Sequence, residues 1–414
     1  MTGPIEIIEP SLLLLVGTSG SGKSTFAAKH FGPTEVLVSD DFRAMICDDA
    51  ANQRVSGHAF ELLHAVAEKR LLHRRLTVVD ATNVEREPRR ALLRIARSQH
   101  LPIDAVVLDA PLEVCLERDA SRAGRRVGEA VIEAQRALLM DTLRSIGAEG
   151  FRQVVHLAGV DAIDDATFAR RRLDCDRPEL AGPFDIIGDI HGCADELEAL
   201  LDALGYDADG RHPDGRRALF LGDLVDRGPD VPGVLRRVLR ATREGDALCL
   251  LGNHEAKLVR WLEGRQVRPT HGLAASIEQL EREPDAFRAE VHDFLRSLPD
   301  HLVLDGGALV VAHAGLIERL HGRSSKRVRA FCIFGDTTGE VDEDGLPVRR
   351  DWGASYAGEA AVVYGHTPVE RAEWVNETLC VDTGCVFGGE LTAVRWPERE
   401  LVSVPARRAY YEAR

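Results

Sequence analysis

Residues 17–25 of this 414-residue chain read GTSGSGKST. Gly17, Gly22, Lys23 and Ser24 fit G-x-x-x-x-G-K-[ST], with an apolar strand before the motif and a helix after it, the context in which the pattern holds phosphate. A loop of Gly17, Thr18, Ser19, Gly20, Ser21, Gly22, Lys23, Ser24 and Thr25 would wrap backbone N–H groups around a β-phosphate at a helix N-terminus. Lys23 would bridge the β- and γ-phosphates of ATP, and Ser24 would hold Mg²⁺. A second set of residues points to metal chemistry. Asp189 and His191 lie in FDIIGDIHGC, and Asp223, Asp226 and Arg227 in LGDLVDRGPD. Asn253 and His254 follow in LLGNHE, His313 in VAHAG and His366 in VYGHTP. Each cluster ends an apolar strand, and a mixed oxygen and nitrogen set suits Mn²⁺, Fe or Zn²⁺ rather than Ca²⁺. A shared carboxylate can hold two such ions roughly 3.5–4 Å apart, activating water and clamping phosphate oxygens.

The phosphate loop alone does not separate a kinase from an ATPase or GTPase. The next strand ends in VSDDFR, which brings Asp40, Asp41 and Arg43 to the same sheet edge. One of the two carboxylates can take a proton from an attacking hydroxyl, and Arg43 can clamp the acceptor's phosphate. Asp40 and Asp41 point differently, so the choice between them stays open. VVDATN places Asp80, Thr82 and Asn83 at a third strand end, with Asp80 either beside the metal or a structural cap. LERDASRAGRRV carries Arg118, Arg122, Arg125 and Arg126. Arg118 and Arg122 share a helix face and could close over a triphosphate.

These residues need elements to position them. From Ser11 to Leu157, apolar runs such as LLLLVG, LTVVDAT and IDAVVLDA alternate with helical stretches, which predicts a parallel sheet covered by helices on both faces. Residues 159–183 are polar and punctuated by Pro and Gly, and read as a linker. The remainder begins with strand–loop–helix units and becomes strand-dense, which predicts two packed sheets flanked by helices. The expected organisation is therefore α/β in two domains, 1–158 and 184–414, joined by 159–183. Residues between Leu320 and Trp352 read as a long, weakly periodic insertion, basic at Arg323, Lys326, Arg327 and Arg329. The net charge of −15 disfavours broad nucleic-acid binding, so contacts to a polynucleotide would be local, such as at one strand end. No run is long and apolar enough for a membrane span, the first residues lack a secretory pattern, and the eight Cys form no C-x-x-C pair. A cytoplasmic location without membrane partners is expected.

The second set resembles the calcineurin-like metallophosphoesterases in its Asp-x-His, Gly-Asp-x-x-Asp-Arg-Gly, Gly-Asn-His-Glu, Ala-His-Ala-Gly and Gly-His-Thr segments. That resemblance implies one ion on Asp189, His191 and Asp223, and another on Asp223, Asn253, His313 and His366. It implies that His254 protonates the leaving group or steadies the transition state, that Asp226 orients His254, and that Arg227 binds phosphate. The whole chain, including GRSSKRVRAFCIFGDTTGE and VDTGCVFGGELTAV, resembles bacterial polynucleotide kinase-phosphatases of RNA end-healing systems. By that likeness the first domain is a P-loop doubly wound sheet with a helical lid. Asp40 is then the general base, Arg43 touches the acceptor, Arg118 and Arg122 belong to the lid, and Asp382 joins the phosphatase site. The implied cofactors are ATP with Mg²⁺ for the kinase and two divalent ions such as Mn²⁺ for the phosphatase. The implied partners are RNA or DNA ends, a separate ligase domain and an RNA 3′-end methyltransferase, with a homodimer left open. No K-x-D-G-like motif is present, so sealing activity is not expected of this chain. GDIHGC and GDLVDRG also resemble Ser/Thr protein phosphatases and dinucleoside-tetraphosphate hydrolases, and the alternative is such an enzyme fused to a small-molecule kinase.

Overall fold

The structure is a computed structural model that describes residues 3–122, 126–341 and 347–412. Arg125 of the predicted lid lies outside the described residues, as does 342–346 of the predicted insertion. The chain forms two compact units, Met1–Leu173 with Arg323–Ser325, and Asp174–Gly322 with Lys326–Arg414.

In the first unit, β1 (Ile5–Ile8) precedes β2 (Leu12–Val16), α1 (Lys23–His30), β3 (Val36–Val38), α2 (Ser39–Cys47) and α3 (Ser56–Leu72). Then come β4 (Thr77–Asp80), α4 (Arg86–Ser98), β5 (Ile103–Asp109), α5 (Leu112–Ala120), α6 (Glu129–Ser145) and β6 (Gln153–Ala158). The sheet order β3-β4-β2-β5-β6 is parallel throughout. Its central strand explains the uninterrupted LLLLV run. Leu12, Leu14 and Val16 pack on one face against α3 and α4, while Leu13 and Leu15 pack on the other against Phe26 and Ala27 of α1. A strand buried on both faces needs no polar alternation. This is a P-loop-type sheet with helices on both sides.

The linker reading of 159–183 is corrected in part. Val160–Asp164 forms α7, and Phe168–Arg171 forms β7, which pairs in parallel with β1. Only Phe168 of β7 is even partly covered, so the strand is polar because it lies on the surface rather than because it is untethered. Further on, Asp176 bridges to Val303.

In the second unit, β8 (Phe184–Ile187), α8 (Ala194–Leu204), β9 (Arg217–Phe220), α9 (Val231–Glu244), β10 (Leu248–Cys249) and α10 (Asn253–Leu262) alternate before α11 (Leu273–Glu281) and α12 (Asp285–Ser297). Next come β11 (His301–Leu304), β12 (Leu309–Ala312), α13 (Lys326–Phe334), β13 (Thr337–Val341), β14 (Pro347–Arg349), β15 (Ala361–Tyr364) and β16 (Trp374–Val375). β17 (Thr378–Cys380), β18 (Glu390–Trp396) and β19 (Glu400–Pro405) complete the order. Two five-stranded sheets, β10-β9-β8-β18-β19 and β11-β12-β15-β17-β16, pack face to face. In β12, Leu309 and Val311 point into the seam while Val310 and Ala312 point outward to Val328 and Cys332 of α13. The outer face of the first sheet is covered by α8 to α12. The predicted insertion therefore contains a packed helix, α13, and a hairpin, β13–β14.

A buried ion pair braces the first unit. Arg89 donates to Glu149 at 3.0 and 2.5 Å and to the Asn83 carbonyl at 2.8 Å, with side chains only 1% and 2% exposed. Removing one partner strands a buried charge. Glu149→Ala is expected to destabilise this unit by about 3–5 kcal/mol in urea unfolding, whereas Arg89→Met with Glu149→Leu should cost much less.

Candidate functional sites

The phosphate loop spans the gap between β2 and α1. Gly22 holds the left-handed conformation at the N-terminus of α1. Gly20 has φ +81°, and a Cβ there would lie 2.3 Å from the Cys115 carbonyl, so this turn requires glycine. Lys23 Nζ donates to the carbonyls of Gly17 and Thr18 at 2.9 and 2.8 Å. Burial pushes its pKa down to about 8, opposed chiefly by the Asp80 charge. Gly17, Thr18 and Ser21 form the buried inner side of the loop. Ser19, Gly20, Gly22, Lys23, Ser24 and Thr25 line a cavity of about 850 Å³ within this unit.

The same cavity gathers Asp40, Arg43, Asp80, Arg118 and Arg122. Asp41 is exposed and not among the lining residues, so geometry favours Asp40 of the adjacent pair. Arg43 pairs with Asp40 and donates to the Ala50 carbonyl at 2.8 Å, which fixes the carboxylate's position. Ser24 hydrogen-bonds Asp80, whose carboxyl is raised by burial. Asp80 Oδ2 is buried without a hydrogen-bond partner. A hydroxyl beside an unsatisfied carboxylate oxygen is a donor set that fits Mg²⁺. Gln135 was not singled out by sequence. It accepts from the Ser19 N–H at 2.7 Å and lines the cavity, reached through the packing of α6 rather than through any motif.

In the second unit, six strand ends converge. β8, β9 and β10 of one sheet deliver Asp189 and His191, Asp223 to Arg227, and Asn253 with His254. β12, β15 and β17 of the other deliver His313, His366 and Asp382. Asp223 lies at the centre. Its Oδ2 is 3.6 Å from His191 Nε2 and 3.7 Å from His254 Nε2, and its Oδ1 is 3.3 Å from His313 Nε2. His313 Nε2 is also 3.0 Å from Asn253 Oδ1 and 3.0 Å from His366 Nδ1. Two donor groups thus share Asp223, one with His191 and His254 and the other with His313 and His366, each within 4.8 Å. Asp189 stands beside them rather than in either group. Its carboxylate accepts from the His366 N–H at 3.0 Å and hydrogen-bonds Asp382.

The electrostatics suit a cation. Burial pushes Asp189 and Asp223 well above the usual carboxylate range, and neighbouring carboxylates add to the shift. Burial likewise lowers His191, His254, His313 and His366, leaving neutral imidazoles. His191 Nδ1 faces the Val225 carbonyl at 2.8 Å and His313 Nδ1 the Leu221 carbonyl at 3.2 Å, which directs each Nε2 lone pair inward. Buried acids with converging neutral nitrogens fit one or two divalent ions.

The backbone is bent to make this possible. His191, Asp223, Asp226, Arg227 and His366 all have φ between 47° and 76°, a region L-residues seldom adopt. Glu255, fully buried, accepts the N–H groups of Gly252, Asp223, Leu224 and Val225 at 2.7–3.2 Å and holds the turn. His254 Nδ1 lies 2.6 Å from Asp226 Oδ2. Ser276 donates to Asp226 Oδ1 at 2.5 Å and accepts from its N–H at 2.9 Å. Glu255 carried a signal in GNHE, where it is the third residue of α10, while Ser276 carried none.

A cavity of about 1190 Å³ opens from Asp223, Asn253, His254 and His366. Lys257, Arg260, Arg265, Arg268, Arg296, Lys326, Arg329 and Arg349 line it beyond Arg227. Of the predicted basic residues, Lys326 and Arg329 reach this wall, and Arg327 does not. Arg349 Nη2 donates to His366 Nε2 at 2.8 Å. Among the described residues no helix is long and apolar enough to cross a membrane. Ser276→Ala should free Asp226 and leave His254 less well aimed. An approximately tenfold loss of phosphatase kcat is expected with metal content unchanged, checked by steady-state kinetics beside metal analysis.

Residues 12–142 match the family described as AAA domain, and residues 182–392 match calcineurin-like phosphoesterase. Relatives include the asymmetrical bis(5′-nucleosyl)-tetraphosphatase PrpE of Anoxybacillus flavithermus, 44% identical over 55% of this chain and 96% of its own length. The enzyme of the same name from Bacillus subtilis is 46% identical over 56% of this chain and 98% of its own. That of Bacillus velezensis is 47% identical over 56% and 96% respectively. With a matched region spanning half of the sequence and containing the buried Asp and His cluster, this chain belongs to the calcineurin-like phosphoesterase family.

Proposed function

We propose that this chain heals broken nucleic-acid ends, RNA foremost, by phosphorylating a 5′-OH and removing a 3′-phosphate or 2′,3′-cyclic phosphate. The observation that carries the reading is the presence, on one chain, of two separate sites whose residues suit opposite phosphate chemistries. One is a cradle with a carboxylate at its wall, and the other is a buried Asp and His cluster. In the first, Lys23 and the loop N–H groups hold the phosphates of ATP, with Ser24 and Asp80 placed to hold Mg²⁺. Asp40 accepts the proton as the 5′-hydroxyl oxygen bonds to the γ-phosphorus and ADP leaves. Arg43 holds Asp40, and Arg118 and Arg122 neutralise charge on the transferring group.

In the second site, bound divalent ions such as Mn²⁺ would supply an activated water and a clamp on phosphate oxygens. Asp189, His191 and Asp223 would hold one, and Asp223, Asn253, His313 and His366 the other, with Asp382 close by. His254, held by Asp226, gives a proton to the departing ribose oxygen, and Arg227 binds the phosphate. The cation-lined cavity then receives the rest of the polyanion.

A second reading is hydrolysis of a dinucleoside tetraphosphate. It is favoured by the name of relatives 44–47% identical over 55–56% of this chain, and a chain of four phosphates also suits the cationic cavity. It leaves the first unit to a separate kinase substrate.

One oligoribonucleotide with 5′-OH and 3′-phosphate, incubated with ATP and Mn²⁺, separates the readings when both ends are analysed beside a diadenosine tetraphosphate reaction. Lys23→Ala should lose 5′-phosphorylation and keep 3′-dephosphorylation, and Asp223→Ala should do the reverse. Turnover of diadenosine tetraphosphate with both RNA ends untouched would overturn end healing. His254→Ala should lose about 10²-fold or more on the 3′-phosphate, whose alkoxide needs a proton, and far less on p-nitrophenyl phosphate. Equal losses would leave His254 as an electrostatic contact only.

A further inference from the structure

Arg227 stands at the metal cluster with an unusual set of neighbours. Among the described residues it makes no ion pair, and its Nε is buried without a hydrogen-bond partner. Nη1 donates to His191 Nε2 at 2.6 Å. The guanidinium carbon lies 5.3 Å from the ring centre of Phe387 and 5.9 Å from that of Tyr411. The two rings meet edge to face with centroids 6.3 Å apart. Both distances are within the roughly 6 Å over which a ring face attracts a cation.

The segment carrying Tyr411 is fastened to the site. Tyr410 and Tyr411 both donate their N–H groups to the Val386 carbonyl, at 2.9 and 3.1 Å. The Tyr410 hydroxyl and the Arg407 N–H both donate to Glu196 Oε1, at 2.8 and 2.9 Å. Glu196 is itself buried at the start of α8, just after the loop that carries His191. Residues 406–412 lie beyond the 182–392 match, so the family assignment says nothing of them.

We propose that Phe387 and Tyr411 form an aromatic clamp that positions Arg227 for the substrate phosphate, which makes Tyr411 a positioning residue of the phosphatase site. A carboxylate could also hold a guanidinium, but it would cancel the charge that the phosphate requires. Two ring faces hold the group and leave its charge whole. The backbone adds the need for such a clamp. Arg227 follows Asp226 in a turn where both have φ near +70°, which aims a long side chain without fixing its end. This inference rests on the reading of the second unit as a phosphatase in which Arg227 meets phosphate.

The test uses the full chain loaded with Mn²⁺, p-nitrophenyl phosphate as substrate, and calorimetric binding of inorganic phosphate as a readout independent of turnover. Tyr411→Ala should lower kcat/KM and weaken phosphate binding by about three- to tenfold, with metal content and melting temperature close to wild type. Tyr411→Phe keeps the ring and should restore both values. Tyr411→Leu keeps apolar bulk without a π face and should behave like Tyr411→Ala, which guards against a loss that is only packing. In an Arg227→Ala background, Tyr411→Ala should cause no further loss. Multiplying losses in that double variant, rescue by Leu, or unchanged phosphate affinity in Tyr411→Ala would overturn the clamp. A wild-type chain that binds phosphate but does not turn over the ester would instead count against the phosphatase reading, while the binding series still decides the role of Tyr411.

Discussion

Carboxylates that repel one another are buried together at the centre of the second unit, and much of the surrounding architecture answers that repulsion. Asp189, Asp223 and Asp382 are each at most 4% exposed. Left alone, they would take up protons rather than stay ionised. The surroundings supply part of the compensation: backbone N–H groups reach Asp223, Asp189 and Asp382, and Arg227 and Arg349 extend into the cluster. The rest is left to cations, which is why neutral imidazoles rather than further acids complete the set. The left-handed turns at His191, Asp223 and His366 bring these groups close, and Glu255 locks one of the turns from behind.

The first unit solves the reverse problem, that of receiving negative charge. Its loop and Lys23 line a cavity that also contains Arg118 and Arg122. A net charge of −15 is compatible with an anionic substrate at the second site because Lys and Arg far outnumber acids in the lining of its cavity. Overall charge describes solubility and long-range attraction, whereas the lining of a cavity describes what it holds.

Much of this was legible in the chain. The strand-end clusters from Gly17 through His366 fall at sheet edges because apolar runs of strand length are followed, directly or after a glycine, by chemistry-bearing residues. The parallel first sheet followed from apolar runs such as LLLLV alternating with helical stretches. Composition failed where a strand lies on the surface: β7 reads FARR and looks like tether, although it pairs with β1. It also failed at α13, whose Val328 and Cys332 face the second sheet beneath a basic exterior. Gln135, Ser276 and Tyr411 act through positions set by distant packing, and no local pattern announces a residue whose partner lies 50 positions away, as for Ser276, or 116, as for Gln135, or farther still, as for Tyr411.

β18 pairs antiparallel with β8, so one edge of the strand that opens the second unit finds its neighbour only about two hundred residues later, while β9 covers the other edge early. On the ribosome, β9 and β10 can join β8 as they emerge, since these parallel partners are near in sequence, but the other edge of β8 must wait. His191 and Asp223 are made long before Asp382, before the far edge of β8 is covered, and before the rings that face Arg227 exist. For that interval a half-built sheet presents an open edge and a cluster of acids without their full surroundings. The order of synthesis thus leaves this edge of the sheet and this acidic cluster incomplete until the last strands of the unit are made.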